Sequence, residues 1–330
     1  MSITVSESKA INLLRLISII CIVICHILQF YKSMWCQIFN IGVQVFWAMS
    51  GYLYAKRTVT SWRGFYQKRI RKIYVPYILW VMGIFVVFYF RGVNITLSNT
   101  ITYILSLQGE SHIFARFGIK GLGHLWFLTG LWCCYLSLPF LQYVRRKSLR
   151  LAFIVLLLSI FIYGSLAFLS SYYLWIFAFA YFYGSIGEGK TQKILQWSIF
   201  IIAILFLCTT TWKNLQNNYY WRLHHIFIGE ALLILFVKMS CLIEGIVFWW
   251  GSIVKASIFS YYIYLTHMVW IFGPVSILSS CRSEIIGTLM VVVATVISSC
   301  VLYFMNSLFP LLFYPGKNGN KNYKFLKSNI

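Results

Sequence analysis

Long apolar stretches alternate with short polar segments along the whole chain. Residues 10–30 set the pattern, because only Asn12, Arg15, Ser18, His26 and Gln29 are polar within this run. About 20 predominantly apolar residues are enough for a helix to cross the hydrocarbon core of a bilayer. The same pattern recurs and predicts about ten transmembrane helices. They cover residues 10–30, 37–55, 73–90, 122–143, 150–169, 171–187, 194–212, 223–240, 257–279 and 285–306.

Composition agrees with an all-α polytopic membrane protein. Hydrophobic residues make up 60% of the 330 residues and charged residues only 10%, which excludes an ordinary soluble domain. We predict a single integral-membrane domain over 1–330, with a core at about 10–306 and a basic cytoplasmic tail at 307–330. The first span is too long for a cleaved signal peptide and is expected to act as an uncleaved signal anchor.

The basic residues predict the orientation in the membrane. The chain has 28 Lys and Arg against six acidic residues, a formal charge of +22. Most of the cations fall before the first predicted span, in every second loop after it, and in the tail. The positive-inside rule therefore places both termini in the cytoplasm. Cations confined to short loops between spans favour contact with membrane lipids or a phosphorylated ligand. This distribution argues against nucleic-acid binding.

Two ionisable residues lie inside the first predicted span. Arg15 and His26 are eleven positions apart, about three helical turns, so they project from the same face about 16 Å apart. The predicted orientation puts Arg15 towards the cytoplasm and His26 towards the outside. Such residues inside a membrane span mark functional sites by default. The alternative is structural: an arginine that snorkels to the interface and a histidine hydrogen-bonded there.

The second and third predicted spans flank a dense basic segment. Residues 63–77 read RGFYQKRIRKIYVPY, with Lys68, Arg69, Arg71 and Lys72 just before a helix that carries Pro76 in its first turn. The cluster is either an interfacial anchor or a cytoplasmic phosphate clamp, and the two roles are compatible. Upstream, Ser50 and Gly51 favour close helix packing. Ser50 is also a candidate to lie near the phosphorylated ligand of the basic cluster.

Further polar residues fall within other predicted spans. His124 and Trp126, in GHLWFL at 123–128, belong either to an aromatic belt or to a surface that contacts an extracytoplasmic acceptor. His267 ends SYYIYLTH at 260–267, near the middle of the ninth span. Glu230 lies in the eighth span, where a carboxylate must be neutral or paired. Arg15, His26 and His267 are each possible partners.

The cysteines indicate no redox or metal chemistry. Nine cysteines are scattered along the chain, mostly inside predicted spans, without the spacing of a disulfide framework or a zinc site. His224 and His225 are adjacent and so cannot share a helix face. We therefore expect no bound metal.

Five segments together resemble the acyltransferase-3 family of ten-helix bacterial membrane acyltransferases. They are Arg15 and His26 in an R-x10-H arrangement, FWAMSGYLY at 46–54, KRIRKIYVPY at 68–77, GHLWFL at 123–128 and YYIYLTH at 261–267. Each segment alone is weak, but all five occur in the order of the family. One position differs: the family commonly has an aspartate three residues before the helix-one arginine, where this chain has Asn12. Arg15 is then either held by Asn12 as a neutral acceptor or freed for a ligand.

The resemblance implies transfer of an acyl group, usually acetyl from acetyl-CoA, to a hydroxyl of a surface glycan or a lipid-linked sugar. It implies a catalytic group of His26, Arg15, Glu230 and His267, and contact of His124 and Trp126 with the acceptor. It also implies that Lys68, Arg69, Arg71 and Lys72, with Ser50 nearby, meet the CoA. His26 is then a general base or a covalent acetyl relay. The alternatives are transfer of another acyl group such as succinyl, or transport of a glycan or lipid-linked sugar without catalysis.

Overall fold

The structure, a computed structural model, describes residues 3–108, 118–149, 151–154, 156 and 172–313. In these residues every regular element is helical, as the apolar pattern predicts. The α-helices are α1 (Val5–Phe30), α2 (Cys36–Phe39), α3 (Gly42–Ala55), α4 (Trp62–Arg69), α5 (Val75–Phe90), α6 (Leu97–Ile104), α7 (Trp126–Lys147), α8 (Tyr172–Ser185), α9 (Lys190–Cys208), α10 (Trp212–Gln216), α11 (Asn218–Lys238), α12 (Ser240–Ile246), α13 (Trp250–Ile271), α14 (Ile277–Ser280) and α15 (Glu284–Phe313).

Fewer helices than predicted are long and apolar enough to cross a membrane. The described residues contain six such helices, or seven when α12 and α13, bent by 117° at a short break, are counted as one span. The prediction of about ten spans is therefore not confirmed. Most of the predicted span at 150–169 and most of the tail at 307–330 lie outside the described residues.

Helix α3 shows why one predicted span falls short. The apolar run 37–55 is divided between the short helix α2 and α3, which has 14 residues. At about 1.5 Å per residue, α3 is roughly 21 Å long, against a hydrocarbon core of about 30 Å. A Cβ on Gly42 would lie 2.4 Å from the Ser18 carbonyl oxygen, and the Tyr52 hydroxyl donates to Glu7 at 2.7 Å. Helix α3 thus runs beside only the first half of α1.

Glycines allow α3 to pack closely against α8. A Cβ added to Gly51 would lie 2.1 Å from the Phe177 carbonyl oxygen, and one on Gly184 would lie 2.9 Å from the Tyr52 ring. Small residues permit such approaches between membrane helices. The packing role predicted for Gly51 is confirmed by this contact. The side chains of both helices belong to one continuous buried cluster with members from Ile11 to Leu302.

The basic segment is interrupted by a π-helix. Residues Ile70–Tyr74 form one π-helical turn between α4 and α5, and the Val75 amide donates to the Ile70 carbonyl. Pro76 follows directly and has no amide hydrogen to donate to the preceding turn. The Tyr261 hydroxyl of α13 donates to the nearby Ile73 carbonyl at 2.8 Å. This bond fixes the basic segment against α13.

Candidate active site

Three histidines from three separate helical segments meet in one cluster. His26 comes from the last turns of α1, His267 from α13, and His124 from the single 3₁₀ turn Gly123–Leu125 before α7. The ring centroids of His26 and His267 lie 5.3 Å apart and are stacked, while those of His124 and His267 lie 4.9 Å apart, edge to face. The histidine cluster is therefore a contact between residues that are far apart in sequence.

Backbone carbonyls determine which nitrogen of each buried imidazole carries hydrogen. Nδ1 of His267 lies 3.0 Å from the Ile263 carbonyl and 2.9 Å from the Tyr264 carbonyl. Nε2 of His124 lies 3.3 Å from the Leu265 carbonyl. A carbonyl oxygen only accepts, so these nitrogens are the donors and the opposite nitrogens carry lone pairs. Both of the opposite nitrogens, Nε2 of His267 and Nδ1 of His124, are buried without a hydrogen-bond partner.

His26 connects this buried pair to accessible surface. His267 is 0% and His124 only 3% exposed, whereas His26 is half-buried. Nδ1 of His26 lies 3.0 Å from Oε1 of Gln29, one turn further along α1. A neutral His26 that donates from Nδ1 to this amide oxygen has a free lone pair on Nε2. The cluster then offers three basic nitrogens to a hydroxyl group.

Two glycines close the loops on either side of the cluster. Gly121 precedes His124 and Gly273 follows His267, with φ of 96° and 97°. Each loop passes against the other so closely that a Cβ on Gly273 would lie 2.6 Å from the Lys120 carbonyl oxygen. Only glycine adopts such a φ without strain. This crossing fixes the position of both buried histidines.

Arg15 lies in the other half of α1, away from the histidine cluster. It is half-buried, and its guanidinium donates to Oδ1 of Asn12 at 3.0 Å. The same oxygen accepts from the Ser257 hydroxyl of α13 at 3.3 Å. Of the two possibilities for Asn12, the structure shows the first: it holds Arg15 as a neutral acceptor. The positive charge of Arg15 is oriented without being neutralised.

Further cations gather around Arg15. Arg57 acts electrostatically on both Arg15 and Lys72, and Lys72 also interacts with Lys68 and Arg69. No carboxylate of the described residues lies within ion-pair distance of Arg15, Arg57 or Lys72. Like charges held together in this way repel each other until an anion binds between them. Arg15, Arg57, Lys68, Arg69 and Lys72 form what we call the cationic cluster.

Tyrosines lie between the cationic cluster and the histidine cluster. The guanidinium of Arg69 lies over the rings of Tyr54 and Tyr135, at 5.6 and 5.9 Å, and Tyr135 also interacts with Arg15. Tyr261 stacks on Tyr264 with ring centroids 6.4 Å apart, and Tyr264 reaches His124 at 5.2 Å. The hydroxyl of Tyr264 also donates to the His124 carbonyl.

Three predicted site residues lie outside these two clusters or on their edge. The ring of Trp126 packs on Trp47, 5.5 Å away. Ser50 is half-buried on α3, beside the Gly51 contact with α8. Arg71 is exposed on the π-helix. The roles predicted for them stay predictions.

Glu230 is not brought to any of its three predicted partners. Its side chain, on α11, is 0% exposed, and neither carboxyl oxygen has a hydrogen-bond partner. The group on which it acts electrostatically is the Tyr183 hydroxyl of α8. The reason is geometric. Gly229, next to Glu230 on α11, packs against α3, and a Cβ added to Gly229 would lie 3.0 Å from the Cβ of Gln44. This part of α11 therefore faces α3.

Sequence reasoning missed several members of the site. The sequence alone singles out neither Arg57, in the loop before α4, nor Tyr261 and Tyr264 within the segment 261–267. Gly121 and Gly273 gave a usable signal, since each lies within a few residues of a predicted site histidine. Within the described residues, no group of three or more metal-binding side chains is placed to hold a metal ion.

Comparison with known protein families gives one match that covers most of the chain. The family model of an acyltransferase domain matches residues 8–304. Searches of curated proteins and of solved structures find no match. The matched range contains both the histidine cluster and the cationic cluster.

Proposed function

The chain belongs to the acyltransferase-3 family, and we propose that it transfers acetyl from acetyl-CoA to a hydroxyl of a cell-surface polysaccharide or its lipid-linked precursor. O-antigen, capsule and exopolysaccharide are acceptors of this kind. One observation carries the proposal: two buried imidazole nitrogens with free lone pairs lie in the same cluster and have no donor. A hydroxyl group is the donor that such nitrogens need.

In the proposed reaction an imidazole of the histidine cluster acts as general base. The free nitrogen of His26, supported by His267, takes the proton of the acceptor hydroxyl while its oxygen attacks the thioester carbonyl. The carbon–sulfur bond breaks, and the CoA sulfur leaves with the proton that the imidazole returns. An imidazole suits this work because its ordinary pKa of about 6.5 is close to the working pH. Covalent transfer of acetyl through His26 is the other form of the same proposal.

The cationic cluster is the proposed site for the phosphates of CoA. Guanidinium groups bind phosphate through two parallel hydrogen bonds. The cluster holds five cations, and Arg15, Arg57 and Lys72 have no carboxylate of the described residues within ion-pair distance, so it favours binding of a polyanion. Arg15 and His26 are about 16 Å apart along α1. The pantetheine arm of CoA separates its phosphates from its thioester, so an extended donor joins the two clusters. Membrane lipids would contact the same basic face when the donor is absent.

The proposed location is the bacterial inner membrane with both termini in the cytoplasm. The positive-inside pattern supports this orientation. With this orientation the cationic cluster faces the side that contains acetyl-CoA. His26 then lies towards the outer side, where surface polysaccharide is assembled. His124, buried against His267, and Trp126 nearby in sequence are the proposed contacts of the acceptor.

The test is the ester-linked acetyl content of surface polysaccharide purified from cells with the wild-type gene, with His26→Ala, or without the gene. We expect acetylation with wild type and none with His26→Ala at equal protein abundance in the membrane. Transfer of succinyl would appear in the same analysis as a different ester. Unchanged acetylation together with loss of polysaccharide from the cell surface in the deletion would replace this proposal with a transporter.

A further inference from the structure

Glu230 and Tyr183 form a second buried polar site, apart from both clusters. Glu230 and Tyr183 are 0% and 1% exposed, and the carboxyl and hydroxyl oxygens are buried with them. Neither group has a hydrogen-bond partner, yet each lies within the electrostatic range of the other. Unpaired buried polar groups are rare because each costs the free energy of its lost hydration. The proposed acyl transfer uses neither group.

Two neighbouring tyrosines, Tyr183 and Tyr52, lie between this site and the surface beside the start of α1. The ring of Tyr183 lies 6.5 Å from the ring of Tyr52. Gly184 makes this possible, because a Cβ there would lie 2.9 Å from the Tyr52 ring. The Tyr52 hydroxyl donates to Oε1 of Glu7 at 2.7 Å. Glu7 is half-buried in the first turn of α1 and so reaches solvent.

The charges around this series of hydroxyls are unusual for so basic a chain. Glu7, Glu188 and Glu230 all act on Tyr52 or Tyr183, although the whole chain has only six acidic residues. Two cations face them: Lys56 lies 5.1 Å over the Tyr52 ring, and Lys238 lies 3.5 Å from Glu188. Neither of these cations pairs with Glu230. Carboxyl groups therefore stand at both ends of the series.

We infer that Glu230 is a proton-binding site inside the membrane, and that its proton exchanges with the N-terminal face through Tyr183, Tyr52 and Glu7. A buried carboxyl without a cation is stable only when it holds a proton. Each hydroxyl passes a proton by accepting one and donating another, and internal waters would bridge the Tyr183 hydroxyl to Glu230 on one side and to the Tyr52 hydroxyl on the other. No bond to carbon is made or broken. The inference does not depend on which acyl group or acceptor the protein uses.

Infrared spectroscopy of the purified full-length protein in lipid nanodiscs tests this directly. A protonated carboxyl gives a C=O band separate from the amide bands, and the band shifts when deuterium replaces hydrogen. We expect such a band in the wild type, its loss in Glu230→Gln and a displaced band in Glu230→Asp. In deuterated buffer the shift is expected to be several-fold slower in Tyr183→Phe and in Tyr52→Phe.

Tyr181→Phe is the matched control, because Tyr181 is another buried tyrosine of α8 and is absent from the series. In this variant the Glu230 proton is expected to exchange as fast as in the wild type. Should Glu230→Gln fail to fold, the Tyr183→Phe and Tyr181→Phe pair still decides the matter, since both retain Glu230. The inference is overturned if the wild type lacks the band, or if the band shifts equally fast in both tyrosine variants.

Discussion

At the scale of single residues, the hydrogen bonds of the two buried histidines matter more than their positions alone. His267 donates through Nδ1 to the carbonyls of Ile263 and Tyr264, in the preceding turn of its own helix. That arrangement fixes the imidazole ring and leaves Nε2 without a partner, in a ring that contacts the other two histidines. His225, by contrast, has both ring nitrogens on carbonyls, those of Trp221 and Gln37. It has no free nitrogen for catalysis.

Replacing His267 by glutamine should therefore remove most of the acyl-transfer activity. Glutamine keeps a polar group of similar length but has no basic nitrogen, and general-base catalysis contributes roughly 10²- to 10⁴-fold. The measurement is the rate of acetyl transfer from acetyl-CoA by purified protein at saturating donor. His224→Gln serves as control, because His224 lies on α11 against Phe206 and His225. Equal rates for the two variants would remove His267 from the mechanism.

Arg15 permits a second prediction at this scale. Arg15→Gln should raise the KM for acetyl-CoA by roughly tenfold or more, since a hydrogen bond to a charged group contributes about 1.5–3 kcal/mol. Arg15→Lys keeps the charge but loses the planar guanidinium fork, so its KM for acetyl-CoA should lie between those of the wild type and Arg15→Gln. The effect should shrink at high salt. Lys193→Gln, a cation of α9 outside the cationic cluster, is the control; a similar rise in its KM would indicate a general loss of surface charge.

At the scale of elements, the short helix α3 is placed by contacts that need glycine. Gly51 lies against the backbone of α8, where no side chain can move aside. Gly83, on α5, has nothing within 4 Å of an added Cβ. The same residue type therefore has a strict packing role in one helix and none in another.

Gly51→Ala should destabilise the protein, and Gly83→Ala should not. A Cβ 2.1 Å from the Phe177 carbonyl oxygen forces α3 and α8 apart, and overpacking of this kind costs about 1–3 kcal/mol. Alanine at the open position 83 adds no contact and favours the helix by about 1 kcal/mol. Thermal unfolding in detergent, followed by the fraction of protein that stays monodisperse, measures both. Equal unfolding temperatures would show that the α3–α8 contact adjusts freely.

At the scale of the whole molecule, the two clusters lie at different depths of the same bundle. Helix α1 carries Arg15 in its first half and His26 near its end, and α13 contacts both regions through Ser257 and His267. One continuous buried core holds these helices together. The chain therefore provides two chemically distinct ends, one cationic and one basic but uncharged when the histidines are neutral.

The proposed orientation can be tested with single added cysteines. Thr58 and Asn94 are both exposed and lie in loops at opposite ends of the helix formed by α4 and α5. A membrane-impermeant thiol reagent applied to spheroplasts should label Asn94→Cys above the wild-type background and should label Thr58→Cys only after lysis. The reverse pattern would place the termini outside and the cationic cluster away from acetyl-CoA.

The sequence by itself determined the helical class, the membrane character and the family, because apolar run length and the spacing of Arg15 and His26 are local properties of the chain. It also identified His124 and His267 as candidates. Only the tertiary structure decided that these two meet His26, because the contact depends on how α1, α7 and α13 pack. The same packing separated Glu230 from its predicted partners and added Arg57 to the cationic cluster. It also limited α3 to half of α1, since an apolar run records burial but not whether lipid or protein provides it.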